Sequence, residues 1–236
     1  MQRKQPLAIS ETYHIYNRGA HKAPIFRDDE DYRRFLLLLG LGNSINPILV
    51  RDTLVKYRDR FSEIFLSEVP EDPLVDILAY SLMPNHFHLV LRQRTEEGIT
   101  KFMRRIMVGY SMYFNLKYDH SGVLFQGRFK STHIDNESYF RYIFAYVHLN
   151  PLELVAPDWK KRKISDLRRV RAFMRTFKYS SYWDYCIGQR PERTLLSREE
   201  EPDFLSKQND VEDLLKTFTE NRFLYTEIGS LYVDNS

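Results

Sequence analysis

Apolar and polar positions change period several times along the chain, and each change predicts an element. Residues 11–26 open with strand-like alternation and break at Asn17-Arg18-Gly19. Asp28-Asp-Glu-Asp31 supplies acids for a helix N-terminus, and Tyr32 to Leu41 continues as an apolar-rich helix. Residues 43–74 have weak periodicity and read as a connection or insertion, with a short helix near 58–67. Val75 to Arg92 reads as two strands interrupted at Met83-Pro84-Asn85, where Pro and Asn favour a turn. Helical spacing returns from Gly98 to about Tyr118, with Phe102, Ile106, Tyr110, Tyr113 and Phe114 on one side and Lys101, Arg104 and Arg105 interleaved. Val123 to Ile134 reads as extended, and Asp135-Asn136-Glu137 caps a helix that Pro151 stops near Asn150. The order strand, helix, strand, strand, helix, strand, helix predicts an α+β fold. It is the ferredoxin-like plan, an antiparallel sheet with helices on one face, followed by a mainly helical C-terminal extension.

Composition narrows the class. At 43% hydrophobic and 28% charged, the 236 residues can bury a core and are not a disordered chain. One cysteine, Cys186, excludes an intramolecular disulfide and a multi-cysteine zinc site, and fits a reducing compartment. The longest apolar run, Phe35 to Gly42, is too short for a bilayer, and Met1-Gln-Arg-Lys-Gln-Pro6 leads into no apolar run of a signal peptide. A cytoplasmic protein is the expectation.

The net charge of +3 conceals an asymmetry. From Arg198 to Ser236 there are four Lys/Arg against ten Asp/Glu, leaving 31 against 22 in residues 1–197. Lys160 to Lys178 alone holds nine basic side chains and one acid, Asp166. Such a block is the footprint of a phosphate-backbone binder, although a solvated basic helix gives the same pattern.

His86-Phe87-His88 on a strand sends both imidazoles to one face and Phe87 to the other. The pair suits a divalent metal; with a lone cysteine the third ligand is an oxygen donor, which favours Mg²⁺ or Mn²⁺ over closed structural zinc. Packing or surface histidines remain the alternative. On the next helix Tyr146 and Asn150 stand at i and i+4, able to place a hydroxyl beside an amide oxygen. Tyr139, Tyr142 and Tyr146 equally form an apolar stripe.

Met83-Pro-Asn-His-Phe-His-Leu-Val-Leu91 resembles the HUH signature (His, hydrophobic residue, His) of single-tyrosine DNA transposases. Tyr13-His-Ile-Tyr-Asn-Arg-Gly19, Phe125-Gln-Gly-Arg-Phe-Lys-Ser131 and Tyr146-Val-His-Leu-Asn-Pro151 are similar to blocks of their REP-associated tyrosine transposase branch. The four blocks span about residues 10–155 in order. The resemblance implies a catalytic domain over 1–155; the insertion at about 43–74 and the tail beyond about 190 depart from the family's core pattern, and the extension over 156–236 reads from its own pattern as helical, basic and then acidic. The resemblance also implies His86 and His88 as metal ligands, Asn150 as the third in place of the relatives' glutamine, and Tyr146 as nucleophile. Tyr142 is the fallback, Tyr110 and Tyr113 weaker candidates. Arg128 and Lys130 would contact phosphates, with Arg104, Arg105, Arg168, Arg169 and Arg171 as further DNA contacts.

The implied activity is cleavage and rejoining of single-stranded DNA near hairpins, with Mg²⁺ or Mn²⁺ and a covalent 5′-phosphotyrosine that conserves bond energy. The implied partner is single-stranded or hairpin DNA, with no membrane, the chain acting as monomer or homodimer in the bacterial cytoplasm or at the nucleoid. Two alternatives stand beside it: a catalytically silent, domesticated nucleic-acid-binding protein, and a metal-dependent hydrolase without covalent intermediate. The acidic segment after Arg198 is further expected to cover the basic groove as an autoinhibitor.

Overall fold

The computed structural model describes residues 7–46, 49–68, 70–161, 164–197 and 211–220. Arg162 and Lys163 of the basic block, and residues 198–210 and 221–236 of the acidic segment, lie outside the described residues.

Four strands, β1 (Thr12–Arg18), β2 (Val75–Met83), β3 (His86–Gln93) and β4 (Lys130–Ile134), form one sheet in the order β2-β3-β1-β4, with every neighbouring pair antiparallel. Helix α1 (Asp29–Leu41) follows β1. The insertion contributes α2 (Val50–Tyr57) and α3 (Phe61–Ser67), and α4 (Gly98–Tyr118) joins β3 to β4. This is the expected ferredoxin-like order. Asp28 starts α1 with a capping box shared with Asp31, and the two-residue Pro84-Asn85 turn closes the β2–β3 hairpin.

Strand alternation builds two layers. Ile15, Ile77, Leu89 and Leu91 face α1 and α4 and bury Phe35, Phe102 and Ile106. The expected one-sided arrangement describes α1 and α4. The sheet's other face is covered as well, by α5 (Glu137–Leu149) and parts of the extension. The physical reason lies in β2 and β3. Leu78, Ala79 and Val90 make the second face apolar at its centre, and an irregularity between Ile77 and Ala79 turns two consecutive residues toward α5.

Beyond α5, the extension carries α6 (Leu167–Thr176), the single-turn α7 (Tyr182–Cys186) and a helical stretch at 211–220. Residues 179–181 run along β2: Leu82 N–H donates to the Tyr179 carbonyl, and Ser181 N–H to that of Tyr80, at 2.9 and 3.0 Å. Arg190 locks the contact by donating to the buried Asp184 carboxylate at 2.7 Å and to the Tyr80 hydroxyl at 2.8 Å. The insertion packs Ile64 against Leu37 and Leu41.

Candidate active site

The site lies on the α5 face of the sheet, where the polar phase of β1 and β3 meets the end of α5. Register places Tyr16 opposite His88 and Arg18 opposite His86, which brings His14 diagonally against His88. Gly19 ends β1: a Cβ there would stand 2.1 Å from the Ala23 carbonyl oxygen, so this turn requires glycine. The turn lets Gly19 bridge to Phe125, which carries Gln126 and Arg128 to the rim.

From the other side, Asn136 caps α5 by accepting from Tyr139 N–H at 2.8 Å. Three turns on, α5 presents Tyr146, and Pro151 breaks the helix into a 3₁₀ turn that begins with Asn150. The expected i, i+4 pair therefore reaches one face. Tyr146 meets His88 edge-on, ring centroids 5.4 Å apart, and Asn150 Oδ1 stands 3.1 Å from His86 Nε2. His86 Nδ1 contacts Asn85 Oδ1 at 2.7 Å, and His88 Nδ1 contacts His14 Nε2 at 2.9 Å. Asn150 is fully buried, and its Nδ2 has no hydrogen-bond partner.

These groups surround a cavity of about 290 Å³. Arg18, Lys22, Arg128, Lys130 and Lys160 line it against one carboxylate, Glu153, so it is a strongly cationic recess. Lys160 Nζ stands 3.5 Å from the Tyr146 hydroxyl and 3.7 Å from Glu153. Burial pushes the imidazoles down: His14 to about 3, His88 well below its usual value with His86 and His14 adding to the effect, and His86 less far because Asn150 hydrogen-bonds to it. Burial thus favours the neutral form of all three rings.

Among the described residues no group of three or more His, Cys, Asp and Glu side chains is placed to hold a metal. A set at this site therefore depends on the amide of Asn150. The donor chemistry is compatible with a divalent ion: His86 Nε2 and Asn150 Oδ1, an imidazole nitrogen and an amide oxygen, stand 3.1 Å apart and would hold it together with His88. The unpartnered Nδ2 shows that Asn150 is not spent on structural hydrogen bonds of its amide nitrogen.

Of the sequence-expected residues, His86, His88, Tyr146, Arg128 and Lys130 line the cavity, and Asn150 contacts His86 beside it. Others are elsewhere. Tyr142 stacks on Phe218 in the apolar layer, rings 5.2 Å apart. Tyr110 donates to the Ile25 carbonyl and Tyr113 to Asp31, both on the α1/α4 side. Arg104 and Arg105 sit on α4, across the sheet, where Arg105 holds the carbonyls of Gly42, Ser44 and Ile45. Arg168, Arg169 and Arg171 belong to α6 and do not line the cavity; Arg171 pairs with Glu212. His14, Tyr16, Arg18, Lys22 and Glu153 were not assigned from sequence as site residues, and Lys160 was read only as part of the basic block Lys160 to Lys178. Strand phase was the usable signal for the first three, because alternation puts His14, Tyr16 and Arg18 on one face.

Residues 50–150 match the family model described as IS200-like transposase. This segment is similar to the IS200-like transposases. It contains His86, His88, Tyr146 and Asn150, omits His14 and Lys160, and supports a DNA transposase function for the chain. Two solved structures are similar in outline. One, a REP-associated tyrosine transposase bound to a REP hairpin, is 16% identical with a TM-score of 0.47, over 86% of this chain and 92% of that one. The other, tRNA(His) guanylyltransferase from Saccharomyces cerevisiae, is 10% identical with a TM-score of 0.35, over 87% of each chain. No curated protein matches. Among the described residues no helix is long and apolar enough to cross a membrane.

Proposed function

We propose that the chain cleaves and rejoins single-stranded DNA beside hairpins, with Tyr146 as nucleophile and a divalent ion, Mg²⁺ or Mn²⁺, held by His86, His88 and Asn150. The observation that carries the reading is the meeting of Tyr146, His86 and His88, from a helix and a strand far apart in sequence, in one cavity lined by five basic side chains. A bound divalent ion would supply Lewis-acid neutralisation of a scissile phosphate.

The chain's own groups account for the rest. Arg128, Lys130 and Arg18 pair with backbone phosphates and draw DNA into the recess. Tyr146, held edge-on against His88, keeps its hydroxyl at the cavity wall beside the Lys160 ammonium, which favours charge building on that oxygen. The phenolic oxygen forms a bond to phosphorus as the bond to the 3′-oxygen breaks. The phenol's proton passes to solvent, and the departing oxygen takes one up as a free 3′-hydroxyl. The 5′-phosphotyrosine keeps the phosphoester energy, so a second 3′-hydroxyl reverses the step without ATP. The cytoplasm or nucleoid is the corresponding location.

The test is incubation with hairpin-flanked single-stranded DNA and Mn²⁺, followed by denaturing electrophoresis. A protein–DNA adduct is expected, lost in Tyr146→Phe with DNA binding retained, and kept in Tyr142→Phe. An adduct persisting in Tyr146→Phe overturns the nucleophile assignment. Binding without nicking favours the silent DNA-binding alternative, nicking without adduct a hydrolase, and activity persisting in EDTA removes the metal.

A further inference from the structure

Two histidines are wholly buried outside the proposed ligand set, and they differ in one respect. His148 has both ring nitrogens engaged, Nδ1 with the Phe144 carbonyl at 3.0 Å and Nε2 with Ser181 Oγ at 2.7 Å. It is a satisfied core histidine. His14 has its Nε2 against His88 Nδ1 at 2.9 Å, and its own Nδ1 is buried with no partner. The ring stacks on Tyr16, centroids 5.0 Å apart at 24°, and meets His88 edge to edge, centroids 5.1 Å apart at 20°.

We infer that His14 is a positioning residue: it accepts the Nδ1–H of His88 and so keeps the Nε2 lone pair of His88 directed at the cavity for a divalent cation. This rests on the metal reading above. One proton is shared between the two facing nitrogens, which leaves two arrangements. If His14 donates, the His88 proton must sit on Nε2, and that nitrogen cannot ligate. If His88 donates, its Nε2 is free, and the His14 proton sits on Nδ1. The second arrangement is the one a cation selects. In either arrangement His14 Nδ1 has no partner, so the polar contact of this buried ring is with His88 alone. A metal-binding histidine needs its other nitrogen anchored to set tautomer and ring angle, and here a neutral imidazole replaces the more usual carboxylate or carbonyl. The substitution has a consequence: no negative charge from the anchor reaches the ion, whose full positive charge stays available to phosphate.

The experiment measures Mn²⁺ affinity of the full chain, by the EPR signal of free Mn²⁺, for wild type, His14→Phe and His14→Gln. Phe keeps the buried ring and its stacking but cannot accept, whereas Gln Oε1 can accept at a similar reach. Expected are a roughly tenfold or greater loss in His14→Phe, recovery of most of it in His14→Gln, and a melting temperature in His14→Phe no lower than wild type. A purely structural role would instead lower the melting temperature and leave affinity alone. In the Mg²⁺- or Cd²⁺-loaded protein, ¹⁵N spectra should show His88 protonated at Nδ1. Wild-type affinity in His14→Phe overturns the positioning role while leaving the metal reading intact. No Mn²⁺ binding by wild type overturns both.

Discussion

Acidification from pH 7.5 to 5 should destabilise this protein through its buried histidines. His14 and His148 are fully buried, and burial lowers each to about 3 against 6.5 in an unfolded chain. Folding therefore favours their neutral forms. The stability is fully present above pH 6.5 and is lost as the pH falls toward 3, because the unfolded chain takes up protons that the folded one refuses. At pH 5 the unfolded rings lie 1.5 units below their pKa, so each histidine costs about 2 kcal/mol, and the two together about 4 kcal/mol. His88 and His86 shift the same way and add to this. Asp28, Asp29 and Glu68 are held below their ordinary carboxylate values, so their contributions are lost only at lower pH, and pH 5 isolates the histidines. Against a typical 5–15 kcal/mol the loss is large. Urea unfolding at pH 7.5, 6 and 5 measures it, with His148→Gln as a control that removes one proton from the slope. A midpoint unchanged between pH 7.5 and 5 would refute the reasoning.

Two further outcomes follow from the same structure. Arg128→Ala and Lys130→Ala should each weaken single-stranded DNA binding without regard to sequence and lower the salt slope by about one, whereas Arg105→Ala, across the sheet, should leave that slope unchanged; fluorescence anisotropy between 50 and 200 mM salt reads both. Arg190→Met leaves the buried Asp184 carboxylate without its cation and should cost about 3–5 kcal/mol in urea unfolding, whereas a loss under 1 kcal/mol would show that the pair does not hold the extension to β2.

The described part of the acidic segment does not line the cationic recess. That part, 211–220, buries Val211, Leu214 and Phe218 in the layer beneath α5 and α6. Phe218 stacks on Tyr142 and lies 4.9 Å from Trp159, ring to ring, so this stretch is core before it is regulator. Glu212 pairs there with Arg171 of α6, a helix that does not line the cavity.

Local pattern determined much of this molecule. Alternation and helical spacing located β1, β2, β3, α1, α4 and α5, because each element buries one face and the period of its apolar positions records that face. Spacing also set His86 beside His88 and Tyr146 a turn before Asn150, since i, i+2 on a strand and i, i+4 on a helix are fixed by backbone geometry. What no spacing carries is the approach of separate elements. The β1–β3 register brings His14 to His88, the 3₁₀ turn after α5 brings Lys160 to Tyr146, and the second apolar face of the sheet decides that α5 lies across the histidines. Arg105 and Arg128 read alike as basic residues among aromatics; one clamps a loop and the other lines the recess. Charge counts are additive along a chain, but the potential at a site depends on distance, and only the folded sheet sets those distances.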